Sequence, residues 1–172
     1  EAARHMVERA KSGDAGGSLV AISSTSAMHG AARNAHYGMT KGAVVSMVRA
    51  LAVELAQHRI SVNSILPGWT RSGLTEKLQQ WDKFNSNVIG RVPMGGWMGG
   101  EDFSAIAVYL ASAASRFHTG DSIVIDGGYT VLVRHAEQHS GALAQIAADF
   151  ARDFAAPVNI HLYATPAGEW GF

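Results

Sequence analysis

The sequence predicts an α/β fold built on a parallel sheet. Three observations carry that expectation: short apolar runs without polar alternation, amphipathic helical stretches between them, and a break rich in Gly, Ser or Pro after each run. The order helix, strand, helix, strand, helix, strand then reads as successive βα units, whose strands run parallel.

Each element follows from its residues. Ala2, Met6, Val7 and Ala10 recur at helical spacing over residues 1–12, and Ser12-Gly13-Asp14 with Gly16-Gly17 breaks the pattern. Leu19-Val20-Ala21-Ile22 suits a strand buried on both faces, with Ser23-Ser24 at its carboxyl end. From Tyr37 to Gln57 the positions Val44, Met47, Val48, Leu51 and Leu55 give a long helix one apolar face. Ile60, Val62, Ile65 and Leu66 form the next strand, which Pro67-Gly68 ends because proline cannot donate to a ladder. Residues 69–100 carry Trp69, Trp81, Trp97 and glycine pairs, and read as an irregular, mobile cover over a pocket. The three tryptophans serve equally well to line that pocket or to anchor the segment to the core. Phe103, Ile106, Ala107 and Leu110 mark a further helix, and Ile123-Val124-Ile125 before Asp126-Gly127-Gly128 a further strand. Character changes after Tyr129, so a boundary is expected near residue 132: a domain over 1–132 and an extension over 133–172 with a helix over 136–156 and a strand over 157–163.

Composition narrows the function classes. With 14 basic and 14 acidic side chains, the formal net charge is zero, which offers no basic field to nucleic acid or an anionic membrane. Cysteine is absent, removing disulfide frameworks and thiolate zinc sites. No apolar run approaches the roughly 20 residues of a membrane span, and residues 1–16 lack the apolar centre of a signal peptide, so the expected location is cytoplasmic.

The chemistry-bearing residues are few. Tyr37 and Lys41 stand at i and i+4 on one helix face and can point at one small site. A phenol with an ordinary pKa of about 10 is a poor base near neutrality, and a neighbouring ammonium favours its ionised form. Ser24 ends a buried strand, where open parallel sheets bind ligands, and its hydroxyl could hold a carbonyl oxygen. Taken singly, each has a plain structural reading: a packed ring, a solvated ammonium, a turn serine.

Together the pieces resemble the short-chain dehydrogenase/reductase family over residues 1 to about 130. Leu19 through Ser24 is similar to that family's strand ending in its serine. Tyr37-Gly38-Met39-Thr40-Lys41 fits its YxxxK motif, and Asn63-Ser64-Ile65-Leu66-Pro67-Gly68 its N-x-I-x-P-G segment. Gly120 through Gly128 resembles its closing strand. The resemblance implies the C-terminal part of a doubly wound Rossmann fold, with NAD or NADP as cofactor and a small-molecule alcohol or carbonyl as substrate. Tyr37 would exchange the proton, Lys41 would hold the ribose hydroxyls and Ser24 the substrate oxygen. Pro67, Gly68, Thr70 and Ser72 would meet the nicotinamide end. Asn63 is expected to bond backbone near the site rather than take part in it. No metal ligand set is expected. His36 beside Tyr37 suggests a serine hydrolase, but no G-x-S-x-G elbow surrounds Ser24.

One departure matters. No G-x-x-x-G-x-G turn precedes a helix, so the phosphate-cradling amides have no candidate, and the chain reads as a fragment whose cofactor-gripping half lies elsewhere. In the full-length form a homo-oligomer is expected, paired through the helices at 1–12 and 37–57, where Ala50, Val53 and Ala56 leave a second small or apolar face. Residues 157–172 resemble the segment leading into the metal site of Jumonji-C-type cupins, although no H-x-D follows before Phe172. Rival readings are a noncatalytic Rossmann-like binding module and a piece of a bifunctional reductase and iron-dependent oxygenase.

Overall fold

A computed structural model describes residues 1–14 and 16–132, and Glu1–Leu132 group into one unit. The helix and strand expected within 133–172, the boundary's far side and the cupin-like segment lie outside the described residues.

The apolar spacing near the amino terminus becomes helix α1, Ala2–Lys11, with Arg9 and Lys11 in its last turn where cations suit the helix dipole. Strand β1 follows at Gly17–Ile22, then helix α2 at Ala35–Leu55 and strand β2 at Ile60–Pro67. Two short helices, α3 at Glu76–Gln79 and α4 at Asp82–Asn87, lie in the stretch expected to be irregular. Helix α5, Ser104–Ala111, and strand β3, Ser122–Ile125, complete the described part. The three strands order β1-β2-β3, all parallel, with Ile22 opposite Ile65 and Pro67 opposite Ile125. Parallel neighbours need crossover connections, which α2 and α5 supply.

The core lies between α2 and one face of the sheet. Val48, Ala52 and Leu55 of α2 pack with Ile60 and Val62 of β2, and Met6, Val7, Leu19 and Ala21 close around them. Each of the larger of these side chains stabilises the fold by roughly 1.5–3 kcal/mol through removal from water. Met47, expected on this face, is instead largely exposed, and Ala52 takes the packing position one turn on.

Strand β1 departs from expectation. Leu19 and Ala21 face α2, but Val20 and Ile22 on the other face are 37% and 57% exposed. The physical reason is position: β1 is an edge strand, and no described element covers that part of its second face. Central β2 has neighbours on both sides, and its residues Val62 to Leu66 are all buried. No described helix is long and apolar enough to cross a membrane.

Candidate active site

All three strands point their carboxyl ends the same way, so the loops that follow them gather at one edge of the sheet, the place where open parallel sheets take ligands. Ser23-Ser24 follows β1, Gly68 to Thr70 follows β2, and Asp126 to Tyr129 follows β3.

Ser24 is extended, at φ −168° and ψ 155°, and caps a 3-10 turn at Thr25–Ala27, its Oγ accepting from the Ser26 amide at 3.1 Å. That is the turn role a serine takes by default. It uses one lone pair, and the hydroxyl proton stays free to be donated elsewhere. Ser24 is nearly buried, so whatever it meets is met away from bulk water.

The first turns of α2 are strapped to this strand end. Ser23 Oγ donates to the Lys41 carbonyl at 2.8 Å, and Lys41 Nζ donates to the Ile22 carbonyl at 3.0 Å. A Cβ at Gly38 would stand 3.2 Å from the Ser26 carbonyl oxygen, which measures how closely helix and loop approach. Lys41 Nζ lies 5.5 Å from the Tyr37 ring centre, so the i, i+4 pair faces a common space. The Tyr37 hydroxyl has no hydrogen-bond partner among the described residues, and Lys41 keeps two of its three ammonium protons.

The loops after β2 and β3 are locked together. Gly68 donates its amide to Ile125 at 2.9 Å, and a Cβ there would meet Asp126 Cβ at 2.7 Å. Asp126 accepts from the Gly128 amide, the Thr130 amide and the Thr130 hydroxyl at 2.9, 2.8 and 2.6 Å. Burial works to raise its pKa, but these bonds and the Tyr129 amide together hold it below the ordinary carboxylate value. Thr70 bonds back to the Gly68 carbonyl and bridges Met98.

Ser24, Tyr37, Lys41, Pro67, Gly68 and Thr70 therefore stand at one edge of the sheet, and Ser72 follows Thr70 on the same loop, sharing Thr75 with it. Ser72 is exposed, with its amide and hydroxyl both engaged on Thr75 Oγ1 at 3.0 and 3.4 Å. Asn63 is structural, but not near the site. Fully buried, it donates to the His118 carbonyl and accepts from the Asp121 amide at the opposite end of the sheet. Of the tryptophans, Trp69 and Trp97 anchor their segment. Both rings contact Phe84, and Trp97 Nε1 donates to Asn85 at 2.7 Å. Trp81 stacks on Phe84 at the surface.

Three residues at this edge carried no motif in the sequence. Tyr129 packs on Trp69 at 6.1 Å, on His29 at 6.0 Å, and beneath the Arg91 guanidinium at 5.1 Å. A recess of about 320 Å³ adjoins α2's first turn between Ser26, His29, Asn34 and Gly38. A larger one of about 780 Å³ lies at the amino ends of the strands, against Gly17, Arg59 and Arg116, remote from Tyr37 and Lys41. Chemistry, rather than size, makes the smaller one the relevant neighbour.

Residues 1–130 match a family model described as enoyl-(acyl carrier protein) reductase, of the short-chain alcohol dehydrogenase type. The chain belongs to the short-chain dehydrogenase/reductase family. Among its curated relatives, the 2-dehydro-3-deoxy-D-gluconate 5-dehydrogenase of Dickeya dadantii is 36% identical over 114 residues, which is 66% of this chain and 45% of that one. A gluconate 5-dehydrogenase from Burkholderia cenocepacia, solved in complex with NADP and tartrate, has a TM-score of 0.71 at 31% identity, covering 76% of this chain and 49% of that one. A 4-hydroxyisoleucine dehydrogenase complexed with NADH has a TM-score of 0.70 at 31% identity, covering 76% and 54%. This short-chain dehydrogenase chain spans about half the length of the curated relatives it matches. The parallel sheet is thus that of the family's Rossmann-type domain.

Proposed function

We propose that the whole protein is an NAD(P)-dependent oxidoreductase that interconverts a secondary alcohol and a ketone, with Tyr37 exchanging the proton. One observation carries this reading: Tyr37 and Lys41 present an unengaged phenol and a partly engaged ammonium beside the Ser24 strand end, strapped there by the Lys41 bond to Ile22. Solved relatives complexed with NADP or NADH support the cofactor, and relatives named for gluconate-type acids make a polyhydroxylated carbonyl the first substrate to try.

The donor set fits the nicotinamide-ribose end of such a cofactor, since hydroxyls of a ribose accept from an ammonium and a phenol. When bound, the nicotinamide supplies or accepts the hydride. The chain's own residues do the rest. Tyr37 gives its proton to the carbonyl oxygen in reduction and takes it back in oxidation. Ser24, its Oγ fixed by the Ser26 amide, donates its hydroxyl proton to the same oxygen and steadies the charge that develops there. Lys41 places its positive charge on the same side of α2 as the phenol. Pro67, Gly68 and Thr70 would hold the nicotinamide end, with Gly68 in close approach to Asp126.

Steady-state kinetics of Tyr37→Phe in the whole protein test the assignment. Loss of turnover by about 10²–10⁴-fold with nucleotide affinity nearly intact is expected, because only the proton donor is removed. Retention of more than about a tenth of the activity would overturn it. A noncatalytic binding module would show no carbonyl turnover in the unaltered protein.

A further inference from the structure

Four buried side-chain atoms lack a hydrogen-bond partner among the described residues: Arg9 Nε, Ser18 Oγ, His29 Nε2 and Arg91 Nε. Arg9 has the Asp14 carboxylate at 3.1 Å, and Ser18 sits on the open edge strand. The remaining two, far apart in sequence, converge on one ring. His29 lies 6.0 Å from the centre of Tyr129 and the Arg91 guanidinium 5.1 Å from it.

We propose that Arg91 and His29 form a carboxylate-binding subsite beside Tyr129, which makes the substrate a hydroxy acid or keto acid rather than a neutral alcohol. The inference rests on the oxidoreductase reading and names its substrate class.

Charge supports it first. The ion pairs among the described residues are Arg9–Asp14 and His118–Asp121, so Arg91 brings a guanidinium into a half-buried aromatic setting with no acid to meet it. Buried charges are normally paired, and a guanidinium presents a planar fork of donors that matches a carboxylate. His29 adds a second nitrogen that donates in its Nε2–H tautomer or when protonated. No hydrogen bond joins the two groups, and in its Nε2–H or protonated form His29 is a donor as Arg91 is.

Location supports it second. Thr25–Ala27 is a single 3-10 turn advancing about 2 Å per residue, so His29 stays close to Ser24. Arg91 precedes Val92, whose Cγ1 would stand 2.7 Å from a Cβ on Gly127, and Tyr129 follows that same loop. Trp69 touches Tyr129 directly after the Pro67-Gly68 turn. The donors therefore border the edge that holds Ser24, with aromatic rings as walls. A site that leaves donors orphaned discriminates against ligands without an acceptor to offer them.

The test uses the whole protein saturated with NADP⁺, following tryptophan fluorescence during titration with D-gluconate and with D-sorbitol, its uncharged counterpart. Gluconate is expected to saturate at concentrations at least tenfold lower than sorbitol. Arg91→Gln and His29→Leu should each weaken gluconate by about 10- to 100-fold, the scale of a hydrogen bond to a charged group, and change sorbitol by less than threefold. In turnover the loss should fall on KM, with kcat changed less than threefold. Arg91→Lys keeps the charge and should recover part of the affinity; it also decides the matter if Arg91→Gln fails to fold. Equal binding of gluconate and sorbitol, or variants that bind gluconate like the parent, overturns the subsite. If gluconate binds as expected but nothing turns over with either nucleotide, the oxidoreductase reading fails and the anion subsite stands. If polyols are oxidised while gluconate neither binds nor reacts, the subsite fails alone.

Discussion

Lys41 Nζ donates to the Ile22 carbonyl at 3.0 Å while lying 5.5 Å from the centre of the Tyr37 ring. One ammonium thus ties the helix bearing the phenol to the strand that ends at Ser23-Ser24. Its structural task and its proposed chemical one are separable by substitution.

Lys41→Met in the whole protein should lower kcat/KM by at least about 10²-fold and stability by about 1 kcal/mol, the typical net value of the lost bond. Lys41→Arg keeps the charge but not the compact ammonium, and should restore less than about a tenth of the activity. Steady-state rates beside urea denaturation give both quantities. A Lys41→Met protein with unchanged kcat/KM would remove Lys41 from the mechanism.

Much of this site was legible because it is local. Tyr37 and Lys41 share a helix face by periodicity alone, and the Ser24 strand end follows from an apolar run and its break. What was illegible depends on distant partners. Val20 and Ile22 read as buried because their run is apolar, yet their exposure is set by what neighbours β1, which no local pattern encodes. The contact between the Ser72 hydroxyl and Thr75, three residues on, was announced by no motif. Asn63 bonds backbone as expected, while the end of the sheet at which it does so came only from the His118 and Asp121 contacts. His29 and Arg91 carry no motif, and their common neighbour Tyr129 comes from a third loop.

Gly68 and Gly73 form a matched pair. A Cβ at Gly68 would meet Asp126 Cβ and Cα at 2.7 and 2.8 Å, whereas one at Gly73 would meet nothing within 4 Å. Gly68→Ala must push the β2 and β3 loops apart, and overpacking of this kind costs about 1–3 kcal/mol. Gly73→Ala should stay within about 0.5 kcal/mol of the parent. Thermal unfolding of both variants in the whole protein checks this, and equal midpoints would contradict the close approach.

Asp126 and Asp121 set an acid limb. The hydrogen bond from His118, followed by the Ser122 amide, holds Asp121 below its ordinary value of 3.8, and Asp126 is lowered by the bonds that outweigh its burial. A carboxylate whose folded pKa is depressed contributes stability that is fully present above the unfolded value and is lost as pH falls through the folded one. Stability should therefore be flat in these two groups above about pH 5 and decline below about pH 4. Asp126→Asn should lower stability at neutral pH and flatten part of that decline. Urea unfolding between pH 3 and 7 measures both, and an acid slope as steep as the parent's would mean that Asp126 does not contribute to it.

The last expectation concerns the 172-residue chain alone, which should bind NADH and NADPH more weakly than millimolar. Dinucleotide affinity depends on backbone amides at a helix amino terminus gripping the pyrophosphate, and no G-x-x-x-G-x-G turn stands before a helix in this sequence. In the proposed function the remaining groups, Tyr37, Lys41 and the Pro67 to Thr70 loop, serve only the nicotinamide-ribose end. Hydrogen bonds there contribute about 0.5–1.5 kcal/mol net each, while immobilising a ligand costs at least several kcal/mol. Three such bonds barely balance that loss, and a millimolar complex needs about 4 kcal/mol beyond it. The exposed Val20 and Ile22 of the open β1 edge favour self-association of the isolated chain, so calorimetric titration should be accompanied by light scattering to confirm a soluble sample. Saturable micromolar heat with either nucleotide would mean that these 172 residues hold a phosphate site outside the sheet edge described above, and the division of labour assigned to Lys41 and Gly68 would have to be redrawn.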